Sequence, residues 1–212
     1  MEQQRILAVF AHPDDESIVA GTLIKHIQQG AHVTYACMTL GEMGRNMGVP
    51  LFASRVTLPL IRAQELEDAC RVIGIQDVRK LGMHDKTIEF EDRELWAGRL
   101  RDLILEVKPG IIYTFYPGHG VHPDHDACGA MVIRAVELLP AAERPELRCV
   151  AMLHNSKELL GAPDLVLDVS EQVEQKVQAI AAHKSQFQLM MGDMNPQKKE
   201  RYKREHLWIY RF

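Results

Sequence analysis

Ile6-Leu7-Ala8-Val9-Phe10-Ala11-His12-Pro13-Asp14-Asp15-Glu16 is the stretch that decides the fold. Its first five residues form an unbroken apolar run of strand length. From Ser17 to Gln29, Val19, Leu23 and Ile27 fall on one stripe, joined by Ala20 and Ile24, which is the spacing of a helix. The polar hexapeptide therefore occupies a strand-to-helix turn, at the strand end where open α/β sheets collect ligands. Gly30 stops the helix. His32 to Leu40, rich in β-branched residues, predicts a second strand, and the resulting βαβ unit makes the first two strands parallel.

The same alternation continues along the chain. The pattern predicts a helix over 58–73 with Ile61, Leu66, Ala69 and Ile73 inward, and a short strand over 77–81. It then predicts a helix over 91–107 with Leu95, Leu100, Leu103 and Val107 inward. Ile111 to Tyr116 is a nearly continuous apolar strand, as expected of one buried on both faces. A helix follows over 123–139, then strands over 147–154 and 165–169. Ser170 is expected to cap a helix over 171–183, short helices follow near 187–191 and 196–205, and 208–212 is expected to be an edge strand. The fold class is α/β: a Rossmann-like, mostly parallel sheet with helices on both faces, in a single domain over residues 1–212.

Composition excludes several function classes. The chain is 46% hydrophobic and 25% charged, with net charge −4 and pI near 6.2. It carries no basic footprint for nucleic acid or an anionic membrane. The one basic run, Lys198 to Arg204, is diluted by Glu200 and Glu205 and reads as a solvated face. Cys37, Cys70, Cys128 and Cys149 are scattered, with no C-x-x-C pair, against both a zinc-thiolate site and a disulfide scaffold. With no signal-peptide pattern and no membrane-length apolar span, the expected location is cytoplasmic. The expected partner is a small molecule, and the sequence leaves a homo-oligomer open.

The chemistry lies in two turns. His12 and Asp15 can share a metal ion, leaving Asp14 over as a base. Alone, this turn reads equally well as acids decorating a helix start. A second stretch, His122-Pro123-Asp124-His125, also follows an apolar strand and opens a helix. With parallel strands both turns open on one rim, so His125 can join His12 and Asp15. Two imidazoles, one carboxylate and an open position form the ligand count of a catalytic zinc site. Asp14 can take a proton from a metal-bound water. Asp124 is expected to orient His122 and favour its charged form, which would stabilise an oxyanion and protonate a leaving amine. The long connection from Gly41 to Pro59 is expected to be functional, with Arg45 as a gripping cation. This set of parts fits amide hydrolysis.

Ala11-His12-Pro13-Asp14-Asp15-Glu16 together with His122-Pro123-Asp124-His125 resembles the LmbE-like (PIG-L type) N-acetylglucosaminyl deacetylases. Thr39-Leu40-Gly41-Glu42, Arg62-x-x-Glu65 and the Leu81…Asp85 turn extend the likeness over most of the chain. Gly41 to Gly48 and Tyr116 to Val121 look closest to the bacillithiol-biosynthesis deacetylases. The resemblance implies Zn²⁺ on His12, Asp15 and His125, Asp14 as base, and His122 as stabiliser or acid. It also implies sugar contacts from Glu42, Arg62 and Asp85, and an N-acetylglucosaminyl malate as substrate. Where relatives can carry Tyr, this chain has Gly120, so another donor, His119 or Tyr116, would have to serve. Other GlcNAc glycosides or thiol conjugates stay open as substrates, as does Fe²⁺ as the ion. A non-heme Fe(II) oxygenase would use a similar ligand triad, but the spare Asp14 disfavours it. A nucleotide-binding module would need glycine or Walker motifs that are missing. A metal-binding protein without turnover remains the non-enzymatic rival.

Overall fold

The computed structural model describes residues 3–212. Strand β1 (Arg5–Phe10) leads through a 3-10 turn (Asp15–Ile18) into α1 (Ala20–Gln28), then β2 (His32–Cys37), α2 (Leu58–Ile73) and β3 (Asp77–Lys80). Next come α3 (Arg93–Val107), β4 (Ile111–Phe115), α4 (Pro123–Glu137), β5 (Glu146–Val150), α5 (Ser156–Leu160) and β6 (Leu165–Asp168). The chain ends with α6 (Val173–Ala182), α7 (Lys184–Gly192), α8 (Pro196–Lys199) and β7 (Arg204–Tyr210). One seven-stranded sheet runs in the order β3-β2-β1-β4-β5-β7-β6. β1 to β5 are mutually parallel, and β7 runs antiparallel to both of its neighbours. Helices α1, α2 and α6 pack together, as do α3 and α4, which is the two-faced covering that right-handed crossovers in opposite directions produce.

Ile6 to Phe10 are fully buried, as a central strand covered on both faces must be. The chain winds from β1 outward through β2 to β3, then returns to the other side of β1 with β4. The strand order reverses between β1 and β4, so their carboxyl ends splay apart and leave a crevice. The loops entering that crevice are the two polar turns, 11–16 and 116–125.

Four expectations are corrected. The last strand is an interior strand, not an edge, and starts earlier, at Arg204. Its inward position at Glu205 is an acid, which hid the period-2 pattern. Leu95 is 53% exposed, while Trp96, Ala97 and Ile104 face the core. The helix begins only after Asp92, whose carboxylate accepts the Leu95 N–H, and that start sets the inward face. Ser170 does not cap α6: it lies in a 3-10 turn, and Asp168 accepts its N–H. The 208–212 strand reaches only Tyr210, just as the 147–154 strand stops at Val150.

Glu205 locks the last strand to the start of α1. Its carboxylate accepts the N–H groups of Gly21 and Thr22, and the Thr22 hydroxyl, at a helix N-terminus, where anionic oxygens are favoured. Lys176 of α6, itself buried, pairs with it and donates to Ile18 O. The substitution Lys176→Met should cost about 3–5 kcal/mol, because it strands a buried carboxylate. A urea-unfolding midpoint matching the parent would show that the helix N–H groups suffice alone.

Candidate active site

The first turn is built to face two side chains one way. Thr39, just past β2, donates its N–H and hydroxyl to Ala11 O. Asp15 N–H donates to His12 O at 3.3 Å, and the His12 N–H returns to the Asp15 carboxylate at 2.8 Å. The second turn supplies His125 from the first turn of α4. Its ring stacks on Phe115 with centroids 4.1 Å apart and planes 7° apart, and its Nδ1–H donates to Gly120 O at 2.6 Å. A Cβ at Gly120 would collide with the Cβ of His125, so the glycine there lets the loop close on this imidazole.

His12 Nδ1, His125 Nε2 and the Asp15 carboxylate converge. The separations are 3.2 Å between the two nitrogens, 3.5 Å from His12 to Asp15 and 3.4 Å from His125 to Asp15. A tetrahedral ion with ligands at about 2.0–2.1 Å holds its donors about 3.3 Å apart. The far nitrogen of each ring is committed as a donor: His12 Nε2–H to Asp124 at 3.2 Å, with the Asp85 carboxylate also 3.2 Å away, and His125 Nδ1–H to Gly120 O. With both rings neutral, two lone pairs would face each other at 3.2 Å, an arrangement that a proton or a metal cation between them relieves. Hydrogen bonds on the far nitrogens are the usual support for metal-binding imidazoles. A second cluster, His12, His122 and Asp124, also lies within ligand range. There, however, Asp124 is occupied by His12 and by the N–H groups of Lys86 and Ile88. The first triad fits a divalent cation better.

Electrostatics follow the same geometry. Burial disfavours a charged His12, but hydrogen bonds to Asp124, Asp15 and Asp85 outweigh it and push the imidazole well above its usual pKa. His125 is likewise raised, burial opposing and Asp15 prevailing. Burial would raise Asp15, yet His125 and His12 hold it far below the usual carboxylate range. Asp14 goes the other way, pushed up to about 6 by burial, with Arg62 opposing.

Asp14 is free of the triad. Arg62 Nη2 holds its Oδ2 at 2.9 Å and also donates to Pro13 O, while Nη1 donates to Gly41 O at 3.0 Å. Gly41 has φ +63°, and a Cβ there would strike the guanidinium. Arg62 is thus spent on the turns rather than left wholly for a ligand. A cleft of about 320 Å³ opens over these groups, lined by His12, Asp14, Asp15, Arg62, Asp85 and His122, with Arg45 and Lys86 at its exposed rim.

The expected role of Asp124 is corrected. Its carboxylate holds His12, not His122, while its own N–H donates to His122 Nδ1 at 3.1 Å. His122 is thereby the N-cap of α4. Asp124 does favour the charged ring, as expected, but burial and the neighbouring His12 outweigh it and lower the pKa. Asp85 lines the cleft but is tied to His12 and to Met43 N–H. Glu42 does not line it, and accepts the Asp85 N–H. His119 faces Ser156, and neither it nor Tyr116 lines the cleft. The long loop is pinned: Arg55 donates to Glu42 O and Gly44 O, and Asn46 exchanges hydrogen bonds with Gln186 of α7. Sequence reasoning missed Lys86, Gln186 and the buried pair Glu16–His183. Only Glu16, inside the first motif, carried any local signal.

The family described as PIG-L, GlcNAc-PI de-N-acetylase, matches residues 7–136. A Bacillus cereus protein named "Probable N-acetyl-alpha-D-glucosaminyl L-malate deacetylase 2" is 47% identical over 218 aligned residues, covering 99% of this chain and 99% of its own. Among solved structures, the N,N'-diacetylchitobiose deacetylase of Pyrococcus horikoshii is similar with TM-score 0.73 and 23% identity, over 99% of this chain and 84% of that one. The 4-carboxy-2-hydroxymuconate hydratase of Pseudomonas putida gives TM-score 0.79 and 17% identity, over 99% and 97%. A hydratase on the same scaffold means that fold alone does not choose the reaction.

Asp124→Asn should weaken metal binding by about 10–100-fold, because it loosens the acceptor that orients His12. Competition against a chromophoric chelator reads this directly. Unchanged affinity would place His12 under the control of Asp85 alone.

Proposed function

Starting from the chain's membership of the PIG-L, GlcNAc-PI de-N-acetylase, family, we propose that it hydrolyses the acetamide of N-acetylglucosaminyl L-malate with a bound divalent cation. It is a deacetylase acting on an N-acetylglucosamine derivative; the malate and the ion are the further step. The observation that carries the reading is the triangle of His12 Nδ1, Asp15 and His125 Nε2 beside an unligated Asp14.

A cation held by His12, Asp15 and His125 would supply an activated water and polarise the amide carbonyl. Zn²⁺ is the proposed ion, and the same donor set accepts Fe²⁺. Asp14, gripped by Arg62 at Oδ2, keeps its other oxygen for the proton of the attacking water. It later hands that proton to the departing sugar amine. His122 accepts a backbone N–H at Nδ1, so in its neutral form the ring proton is on Nε2, ready to donate to the carbonyl oxygen as charge develops there. It does this as a neutral donor, in keeping with its lowered pKa.

Arg45, exposed at the rim and lining the cleft, supplies the cation for a malate carboxylate. Near-full-length similarity to a protein named for that substrate supports the same choice. Among the described residues no helix is long and apolar enough to cross a membrane.

Metal-loaded enzyme should release acetate from N-acetylglucosaminyl malate. Asp14→Asn should keep its metal and lose about 10²–10⁴-fold in kcat, the contribution of a positioned base. A binding protein without turnover would show no acetate from either form. Arg45→Ala should raise KM for the malate glycoside about tenfold, the loss of roughly 1.4 kcal/mol of binding, and leave a neutral methyl glycoside unaffected. An equal effect on both glycosides would remove Arg45 from malate recognition.

A further inference from the structure

Glu16 and His183 are both completely buried, and neither lines the cleft. They come from opposite ends of the chain: Glu16 follows the metal-facing turn, and His183 joins α6 to α7. His183 Nε2 and Glu16 Oε1 lie 2.5 Å apart. The other oxygen of Glu16 accepts the backbone N–H of Asp14 at 3.0 Å. Asp14 sits at φ 109°, a conformation that residues with a Cβ rarely adopt and that persists only where the surroundings hold it.

Two further facts separate this pair from ordinary core. A buried ion pair is often no more stabilising than an apolar pair of the same volume, and here the Glu16 oxygen turned away from His183 meets the Asp14 N–H. Moreover, His183 Nδ1 is buried without a partner. The imidazole's placement is therefore set by Glu16 and not by a wider hydrogen-bond network.

We propose that Glu16, held by His183, is a positioning residue for Asp14: it grips the strained backbone amide while Arg62 grips the carboxylate, so the base is fixed from both ends. This inference rests on Asp14 being the base. Without Glu16 the peptide at Asp14 relaxes towards ordinary φ, and the carboxylate swings off the line to the attacking water. The metal triad is unaffected, because Asp15 is secured by its own bonds to His12.

The test uses full-length, metal-loaded enzyme acting on N-acetylglucosaminyl malate, with kcat, KM and bound metal read separately. Glu16→Leu and His183→Leu should each lower kcat by about 10²-fold, the cost of misplacing a reacting group by about an ångström. KM and metal content should stay within about threefold of the parent values. Glu16→Gln keeps one oxygen for the Asp14 amide but cannot accept two N–H groups with it, so it should lose only about fivefold. In an Asp14→Asn background none of these changes should lower the residual rate further, because the residues act as one unit. Equal losses in both backgrounds, or loss of metal in step with loss of activity, would overturn the inference. If the leucine variants do not fold, Glu16→Gln in the two backgrounds separates the same outcomes. An active Asp14→Asn enzyme would overturn the base assignment and this inference together. An inactive Asp14→Asn beside a fully active Glu16→Leu would overturn this inference alone.

Discussion

Two imidazole nitrogens facing each other at 3.2 Å, with a carboxylate closing the triangle, form the constraint on which the rest of the structure depends. Neither ring can turn away. His12 is held at Nε2 by two buried carboxylates, and His125 is held at Nδ1 by a carbonyl and flat against Phe115. Facing lone pairs repel, and the acids around them raise both imidazole pKa values. Such a site, in a frame that the apolar core supports, favours positive charge between the rings, which a proton or a divalent cation would supply.

That frame is the reversal of strand order at β1 and β4. His12 follows one of these strands and His125 the other, 113 residues apart in sequence yet on neighbouring strands. A parallel pair with its loops at the same end is the shortest way to bring two such turns together. The remaining strands and helices fix the pair: Glu205 and Lys176 tie the far side of the sheet to α1, immediately after the first turn. Gly129 of α4 lies close against Phe115 O, where a Cβ would collide, and so sets the height of the helix that carries His125.

Much of this was legible in the sequence because it is local. The apolar runs of β1 and β4, the helix stripes and the two acid-and-histidine turns are patterns within a dozen residues. They place His12, Asp15 and His125 on one rim once the strands are parallel. What escaped was non-local or rotameric. The antiparallel, interior β7 depends on pairing partners at both sides, and its one inward acid broke the apolar alternation. Asp124 lies two residues from His122, yet its carboxylate reaches across the crevice to His12, a choice made by rotamer and not by spacing. His183 has no motif around it, and its meaning depends on Glu16, a residue 167 positions away.

Asp14, Asp15 and Glu16 show why a run of acids can be tolerated here. Three consecutive carboxylates on a regular helix start would share one field and repel. The positive φ at Asp14 and the 3-10 turn that follows send the three side chains in different directions. Each then meets its own partner: Arg62 for Asp14, His12 and His125 for Asp15, His183 for Glu16. The divergence is also a division of labour. Asp15 is held anionic beside two imidazoles, which would suit the proposed metal ligand, whereas burial raises the pKa of Asp14, which would suit the proposed proton acceptor. Asp15 is kept in place by its own bonds to His12, so the strained φ at Asp14 decides chiefly where the Asp14 carboxylate points relative to it.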